Sequence, residues 1–242
     1  MEIHYTIFPP QYNNRMVHPR TKNNIYKWVE LNNNLSLNPK IWDINQAKNF
    51  LIDFSKEFGY DILKWFDYEN DGRYKSDIFR LCILYEFGGI YVDIDQEPLI
   101  SMSEYIDFNL LDFVGCSNMG LHNLSNGFIF SKKKSNIIKK NIEEIISRYQ
   151  SNGTKGGCHV MGSVITNLIN GEPLKMPLGF HRIGGENCLF LHEIGDESLP
   201  NTSQEHFNSF GVYAKNDTLK VMNSRYHTYH IDKYDINNFI LI

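Results

Sequence analysis

The sequence lacks both an excess of positive charge and any long apolar segment. Its 24 lysines and arginines are outnumbered by 28 aspartates and glutamates, which gives a formal net charge of −4. The chain therefore has no basic footprint of the kind that binds nucleic acid. No apolar run is long enough to span a bilayer, and the first 35 residues are polar, unlike a secretory signal. We expect a soluble, cytoplasmic protein with no nucleic-acid partner.

Cysteine is also scarce, and its spacing gives no sign of a metal centre. The four cysteines are far apart in sequence, at Cys82, Cys116, Cys158 and Cys188. They form no metal-type or redox pair, so we expect reduced thiols; disulfides are the alternative. Hydrophobic residues are plentiful, at 42% of 242 residues, and aromatic residues reach 14%. This composition predicts one domain, over residues 1–242, with a substantial core.

Segments with the pattern of strands alternate with segments with the pattern of helices. Residues 1–8 predict a first strand, and residues 45–58 form an apolar stripe at helical spacing. Residues 126–130 predict another strand, followed by an amphipathic helix over residues 135–149. The alternation predicts an α/β fold with a mostly parallel central sheet flanked by helices. A ligand would then lie at the carboxyl ends of the strands.

The segment from residue 74 to residue 99, YKSDIFRLCILYEFGGIYVDIDQEPL, organises the rest of the chain. Residues 75–87 have helical spacing, and the following glycine pair ends the predicted helix. The β-forming triplet Ile-Tyr-Val comes next. Asp77 and Arg80 are three residues apart, so they share one face of the helix.

Two aspartates, Asp93 and Asp95, follow the predicted strand. In an extended chain they point to the same side, where their charges repel each other. A hard divalent ion such as Mg²⁺ or Mn²⁺ removes this conflict and accepts oxygen ligands. We therefore expect a metal–phosphate site at the mouth of the sheet, near Asp77 and Arg80. The alternative is an acidic turn exposed to solvent.

The segment resembles the sugar-binding, Asp-x-Asp region of family 32 glycosyltransferases, which are related to yeast initiating α-1,6-mannosyltransferase. It is more distantly similar to the glucosylating clostridial toxins. The matching residues are Lys75, Ser76, Asp77, Arg80, Leu84, Tyr85, Gly88, Gly89, Ile90, Tyr91, Asp93 and Asp95. The resemblance implies a GT-A-like fold, the fold of nucleotide-diphospho-sugar transferases.

The same resemblance implies a metal-dependent, retaining glycosyltransferase. It would move a sugar from a UDP- or GDP-sugar to a saccharide, lipid or protein acceptor. Asp93 and Asp95 would hold Mn²⁺ or Mg²⁺, while Asp77 and Arg80 would bind sugar hydroxyls by charge-assisted hydrogen bonds. Tyr91 would support the donor near the metal.

Three further residues are candidates for the same site. In the resembled family an asparagine at the start of a similar strand faces the donor sugar, which makes Asn126 a candidate; the alternative is a turn residue. Phe8, at the tip of the first strand, is placed to stack on the nucleotide base, or else is a core aromatic. His230, with His227 as second choice, would complete the metal shell, although most histidines are not ligands.

Two other functions remain open from the sequence. Haloacid dehalogenase-like phosphatases and phosphotransferases also place Asp-x-Asp after an apolar strand and bind Mg²⁺. They usually have Thr or Val two residues after the second aspartate, where this chain has Glu97. A catalytically silent sugar-nucleotide-binding module is the other alternative, and it would bind nucleotide without transfer or hydrolysis.

Overall fold

The computed structural model describes most of the chain as a sheet with helices on both of its faces. The described residues are 1–8, 16–17, 19–118, 123–152, 157–169, 177–195, 210–214, 218–224 and 240–241. The strands are β1 (Glu2–Thr6), β2 (Met16–Val17), β3 (Asn38–Trp42), β4 (Gly89–Val92), β5 (Gln96–Pro98), β6 (Phe113–Ser117), β7 (Leu124–Ser131), β8 (Gly179–Ile183), β9 (Glu186–Gly195), β10 (Phe210–Ala214), β11 (Leu219–Ser224) and β12 (Ile240–Leu241). The helices are α1 (Pro19–Leu31), α2 (Ile44–Phe58), α3 (Ile62–Tyr68), α4 (Gly72–Phe87), α5 (Asn136–Asn152) and α6 (Cys158–Leu168).

The main sheet is mixed, so the prediction of a mostly parallel sheet is wrong. Its strand order is β3-β1-β4-β7-β6-β9-β10-β11-β5, and β8 pairs with β9 beside this path. The parallel pairs are β1 with β3, β1 with β4, and β6 with β9. The pairs β6–β7, β8–β9 and β10–β11 are antiparallel neighbours in sequence, with no described helix between them. A parallel pair requires a long crossover, which these connections do not provide.

Each face of the sheet has its own hydrophobic core. Residues from α2 to α6 form one core, and residues from α1 and the segment before β6 form the other. Alternation along β4 separates the two faces: Ile90 and Val92 belong to the α1 core, while Tyr91 belongs to the α4 core. Tyr91 therefore points toward the helix that carries Asp77 and Arg80.

The glycines at the ends of α2 and α4 act as the sequence predicts. Gly59 ends α2 in the left-handed conformation, with φ 83°. Gly88 ends α4 at φ 67° and donates its amide hydrogen to the carbonyl of Leu84 at 2.9 Å. The start of α4 is less predictable, since the helix begins at Gly72, three residues before the expected position.

Gly72 lets the start of α4 pass directly over the backbone that follows β1. A Cβ atom at residue 72 would lie 1.6 Å from the carbonyl oxygen of Phe8. We expect Gly72→Ala to lower the free energy of unfolding by about 3 kcal/mol, because two backbone segments must separate. Urea denaturation measures this change. Gly185→Ala is the control: a Cβ there would meet open space, so its loss reflects only the strain of a side chain at φ 89°. Equal losses of stability in the two variants would contradict the close approach at Gly72.

Two sequence expectations concern thiols and membranes. Cys82, Cys116 and Cys188 are free and buried in the part of the chain that the structure describes. Among the described helices, none has both the length and the apolar character that crossing a bilayer requires.

Candidate functional site

The Asp93–Asp95 segment is a turn and not the extended strand that the sequence suggested. The amide of Asp93 donates to the carbonyl of Gly127 in β7 at 2.7 Å, and the amide of Gln96 donates back to the carbonyl of Asp93 at 3.0 Å. The second bond closes a turn around Ile94 and Asp95. The two aspartates are therefore brought together by a turn, while β4 itself ends at Val92.

Arg80 joins the helix to this turn. Its Nη2 lies 3.1 Å from Oδ1 of Asp77, and its Nη1 donates to Oδ1 of Asp93 at 3.2 Å. Nη1 also donates to the backbone carbonyl of Asn126. The guanidinium carbon lies 4.4 Å from the centre of the Tyr91 ring, within the range of a cation–π contact. Arg80 is only 4% exposed, so the structure holds it as a buried bridge between two acids.

Asn126 enters the same cluster from β7. Its side-chain amide nitrogen donates to Oδ1 of Asp77 at 2.6 Å, and the residue is buried. The alternative interpretation, a turn residue, does not match this position in the middle of a strand. Asn126 therefore orients the carboxyl group of Asp77 together with Arg80.

Tyr91 belongs to a chain of hydrogen-bonded hydroxyl groups that ends at Asp93. Its hydroxyl donates to Oδ1 of Asp93 at 2.7 Å and lies 2.9 Å from Oγ1 of Thr6. Thr6 Oγ1 lies 2.7 Å from Oγ of Ser76. The sequence did not predict Thr6 as a site residue. The available signal was its position at the carboxyl end of the first strand, where ligands bind in α/β folds.

Burial raises the pKa of Asp77 to about 6, and the negative charge of Asp93 adds to the effect. The charge of Arg80 and the hydrogen bond from Asn126 oppose it. Because the folded protein holds this proton more tightly than the unfolded chain, Asp77 favours folding at low pH. Its contribution is lost as the pH rises from its ordinary pKa toward about 6.

We therefore expect the wild type to lose stability relative to Asp77→Asn as the pH rises from about 4 to about 7. The difference in unfolding free energy between the two proteins should change by about 3 kcal/mol, because folding raises the pKa of Asp77 from its ordinary value to about 6. Urea denaturation across this range measures it, and titrating groups that do not interact with Asp77 cancel in the comparison. A difference that stays constant, or that moves in favour of the wild type, would contradict the raised pKa.

Asp95 lies beside two other carboxylates. Burial and the charges of Asp93 and Glu193 raise the pKa of Asp95. Glu193, in β9, is buried and was not predicted as a site residue. In the described residues, no group of three or more histidines, cysteines, aspartates and glutamates has a geometry that could hold a metal ion.

The chemistry of Asp93 and Asp95 nevertheless suits Mn²⁺ or Mg²⁺. Both are hard oxygen donors, and the side chain of Asp93 is 35% exposed. Its hydrogen bonds from Arg80 and Tyr91 both fall on Oδ1. A cation beside the pair would offset the repulsion that raises the pKa of Asp95.

Two predicted site residues do not join the cluster. Phe8 is 1% exposed and packs edge-on against Phe66 and Phe79, at centroid distances of 5.6 Å each. Its ring is a core aromatic here and is not open to stack on a nucleotide base, because α3 and α4 close over it. His230 and His227 lie outside the described residues.

Comparison with known proteins is consistent with this geometry. Residues 11–112 match the model of a family described as a glycosyltransferase sugar-binding region containing a DXD motif. This segment includes Asp77, Arg80, Asp93 and Asp95, but not Asn126. A comparison with curated proteins gave no match.

A solved structure shows a likeness at the level of the fold. The chain is similar to a structure titled PaToxG Glycosyltransferase, with a TM-score of 0.54 and 20% identity, over 70% of this chain and 69% of that one. At this identity the likeness concerns the fold alone. Residues 11–112 of this chain thus match glycosyltransferase sugar-binding regions that contain a DXD motif, and its fold is similar to that of a glycosyltransferase.

Proposed function

We propose that the protein is a metal-dependent, retaining glycosyltransferase that uses a UDP- or GDP-sugar as donor. The acceptor is a hydroxyl group of a saccharide, lipid or protein. The observation that carries the proposal is the bridge from Arg80 to both Asp77 and Asp93, 3.1 Å and 3.2 Å away. It joins α4 and the turn at Asp93–Asp95, the DXD turn, into one charged, hydrogen-bonded cluster within the matched segment.

The site lies where a ligand is expected in an α/β fold. Thr6 ends β1, and Asp93 directly follows β4, so the carboxyl ends of two parallel neighbours meet there. Asp93 is partly exposed while Asp77 and Arg80 are nearly buried beneath it. This decrease in solvent exposure from Asp93 to Asp77 and Arg80 suits a donor whose sugar contacts Asp77 and Arg80.

In this proposal Asp77 and Arg80 bind hydroxyl groups of the donor sugar by charge-assisted hydrogen bonds. Asn126 keeps the Asp77 carboxyl group in place by its 2.6 Å hydrogen bond. Asp93 and Asp95 would hold the divalent ion, which would supply Lewis-acid stabilisation of negative charge on a diphosphate. We assign no side chain as a nucleophile.

A donor screen tests the proposal directly. Purified protein is incubated with a panel of UDP- and GDP-sugars in Mn²⁺, in Mg²⁺ or in a chelator, and release of free UDP or GDP is measured. We expect release from one donor class, with a metal requirement. The same donor should raise the melting temperature, since a ligand that binds only the folded state stabilises it.

The alternatives give different results in this screen or in a phosphatase assay beside it. A silent binding module would show metal-dependent stabilisation by nucleotide without release of UDP or GDP. A phosphatase would instead cleave a fluorogenic phosphate ester, with loss of that activity in Asp93→Asn. Either outcome would overturn the proposed transfer reaction.

Gly127 gives a test of how closely the turn is packed. A Cβ at residue 127 would lie 2.8 Å from Nε2 of Gln96 and 3.1 Å from Oδ2 of Asp93. These are ends of flexible side chains, so we expect Gly127→Ala to fold with little loss of stability. Moving Asp93 should still lower donor turnover by about 10- to 100-fold, since small displacements of positioned groups are costly.

The control for Gly127→Ala is Gly115→Ala in β6. Its added Cβ would crowd the core side chains of Leu124 and Phe113, each at 2.9 Å, and not the turn. Donor turnover is measured beside the melting temperature for both variants. A larger loss of turnover in Gly115→Ala would contradict the assignment of the turn.

A further inference from the structure

The hydrogen bonds that link Ser76, Thr6, Tyr91 and Asp93 all have the same donor-to-acceptor direction. The hydroxyl of Tyr91 donates to Oδ1 of Asp93 at 2.7 Å, so its hydrogen is not available to Thr6. Thr6 must then donate to the Tyr91 oxygen, over 2.9 Å, and it can accept from Ser76 over 2.7 Å. Each hydrogen bond in such a chain polarises the next one.

The three hydroxyl residues are held away from water. Tyr91 is 1% exposed, Thr6 7% and Ser76 8%. The Tyr91 ring is also fixed, because it lies within the core between β4 and α4 and under the Arg80 guanidinium. Thr6 comes from a third element, β1, which is the parallel neighbour of β4. The hydroxyl group of Thr6 is thus the contact by which β1 sets the rotation of the Tyr91 O–H bond.

The orientation of the Tyr91 O–H bond affects Asp93, whose side chain is partly exposed and lies on a turn. Its Oδ1 receives two hydrogen bonds, from Arg80 and from Tyr91, and both reach it from the protein interior. A carboxylate fixed through one oxygen presents its other oxygen in a defined direction. The orientation of Asp93 therefore depends on a residue more than 80 positions earlier in the chain, Thr6.

We propose that Thr6 is a positioning residue for the sugar transfer, which directs the Tyr91 hydroxyl onto Asp93 and so fixes the carboxylate that faces the donor. The inference rests on the proposed function, since it assigns a role in that reaction. Thr6 itself contacts no reacting atom in this scheme. It acts through Tyr91, and the effect of its removal must pass through that hydroxyl group.

The test uses Thr6→Val, which keeps the shape of the side chain and removes the hydroxyl group. We expect kcat/KM for donor turnover to fall about tenfold, the effect of losing one buried hydrogen bond. Thr6→Ser restores the hydroxyl group and should recover most of the rate. Thr166→Val is the matched control, because Thr166 Oγ1 donates to a backbone carbonyl within α6 at 2.9 Å; it should leave kcat/KM unchanged.

A double-mutant cycle separates positioning from a structural role. Once Tyr91→Phe has removed the link to Asp93, adding Thr6→Val should cause no further loss in kcat/KM. A merely structural role of Thr6, such as joining β1 to α4 through Ser76, would give a second, independent tenfold loss in the Tyr91→Phe background. That second loss would overturn the inference.

Crystal structures of Thr6→Val and Thr6→Ser keep the inference testable even if no donor is turned over. We expect the hydrogen bond from the Tyr91 hydroxyl to Asp93 to lengthen in Thr6→Val, because the Tyr91 O–H bond is no longer polarised by Thr6, and to keep its length in Thr6→Ser. An unchanged Tyr91–Asp93 distance in Thr6→Val would refute the positioning role whatever the protein's activity. Absence of turnover in the wild type, with the longer hydrogen bond present in Thr6→Val, would refute the transfer reaction and leave the positioning role standing.

Discussion

Replacing Arg80 by alanine should lower donor turnover by at least about 1,000-fold, the effect of removing a preorganised charged group from an active site. Arg80 contacts Asp77 and Asp93 within 3.2 Å and lies over the ring of Tyr91. Its removal leaves the buried carboxyl group of Asp77 without its cation. We therefore also expect the free energy of unfolding to fall by about 3 kcal/mol, as for other broken buried ion pairs.

A second comparison shows whether Arg80 binds sugar. Arg80→Ala should weaken binding of the intact sugar nucleotide more than binding of free UDP or GDP, as measured by calorimetry. If Arg80→Ala does not fold, Arg80→Lys takes its place in the comparison. Lysine keeps the charge and should retain the fold, but it lacks the guanidinium group that contacts Asp77 and Asp93 together. Arg182→Ala, at an exposed position of β8, is the control. Equal losses for sugar nucleotide and free nucleotide would mean that Arg80 is structural.

Asp95→Asn should remove donor turnover, again by about 1,000-fold or more, while leaving the protein folded. The change keeps the size of the side chain and removes one of the two carboxylates that suit a divalent ion. Stability should not fall at neutral pH, and we expect it to rise. Burial and the charges of Asp93 and Glu193 raise the pKa of Asp95, so its ionised form opposes folding above that pKa.

The matched control for Asp95→Asn is Asp53→Asn on α2, whose side chain is 86% exposed. It makes the same chemical change away from the cluster and should leave both turnover and stability unchanged. Adding a chelator should slow the wild type and Asp53→Asn, but should not reduce the residual rate of Asp95→Asn further. A wild-type rate in Asp95→Asn would remove the assignment of this aspartate.

Local pattern is enough to predict the part of the site that lies within one continuous segment. The apolar spacing of residues 75–87 predicts α4, and the glycine pair marks its end, because both depend on interactions within a few residues. The shared helical face of Asp77 and Arg80 follows from the same spacing. Their 3.1 Å contact confirms that part of the interpretation.

The DXD turn shows where local reasoning fails. An extended chain would place Asp93 and Asp95 on one side by strand alternation, yet the chain turns after Val92. The amide of Asp93 donates a hydrogen bond to the carbonyl of Gly127 in β7, more than 30 residues later. Nothing within the Asp-x-Asp triplet indicates this partner.

Phe8 does not contact the cluster as the sequence suggested, whereas Thr6, for which the sequence suggested no role, does. An aromatic residue at the tip of β1 is a reasonable partner for a base, but Phe66 and Phe79 from two later helices enclose it. The small residue Thr6, which carries no motif, instead reaches the site through Tyr91. Thr6 and Phe8 both face α4, so alternation along β1 does not separate them. Packing between distant segments decides which of the two contacts the cluster.

The mixed order of the sheet has a similar cause. Strand and helix patterns alternate through the first half of the chain, which favours parallel pairing, and β1, β3 and β4 are indeed parallel. After β4, successive strands follow each other without a described helix between them, in the pairs β6–β7, β8–β9 and β10–β11. Short segments of this kind are difficult to classify by periodicity, and their pairing depends on long-range register.

A crystal structure of the protein with Mn²⁺ and the sugar nucleotide that stabilises it most decides whether the turn at Asp93–Asp95 binds the donor. We expect the ion at Asp93 and Asp95, with hydroxyl groups of the donor sugar within hydrogen-bonding distance of Asp77 and Arg80. A donor bound elsewhere, for example in the cavity of about 710 Å³ lined by Tyr105 and Leu191, with no ion at Asp93, would overturn the proposed function.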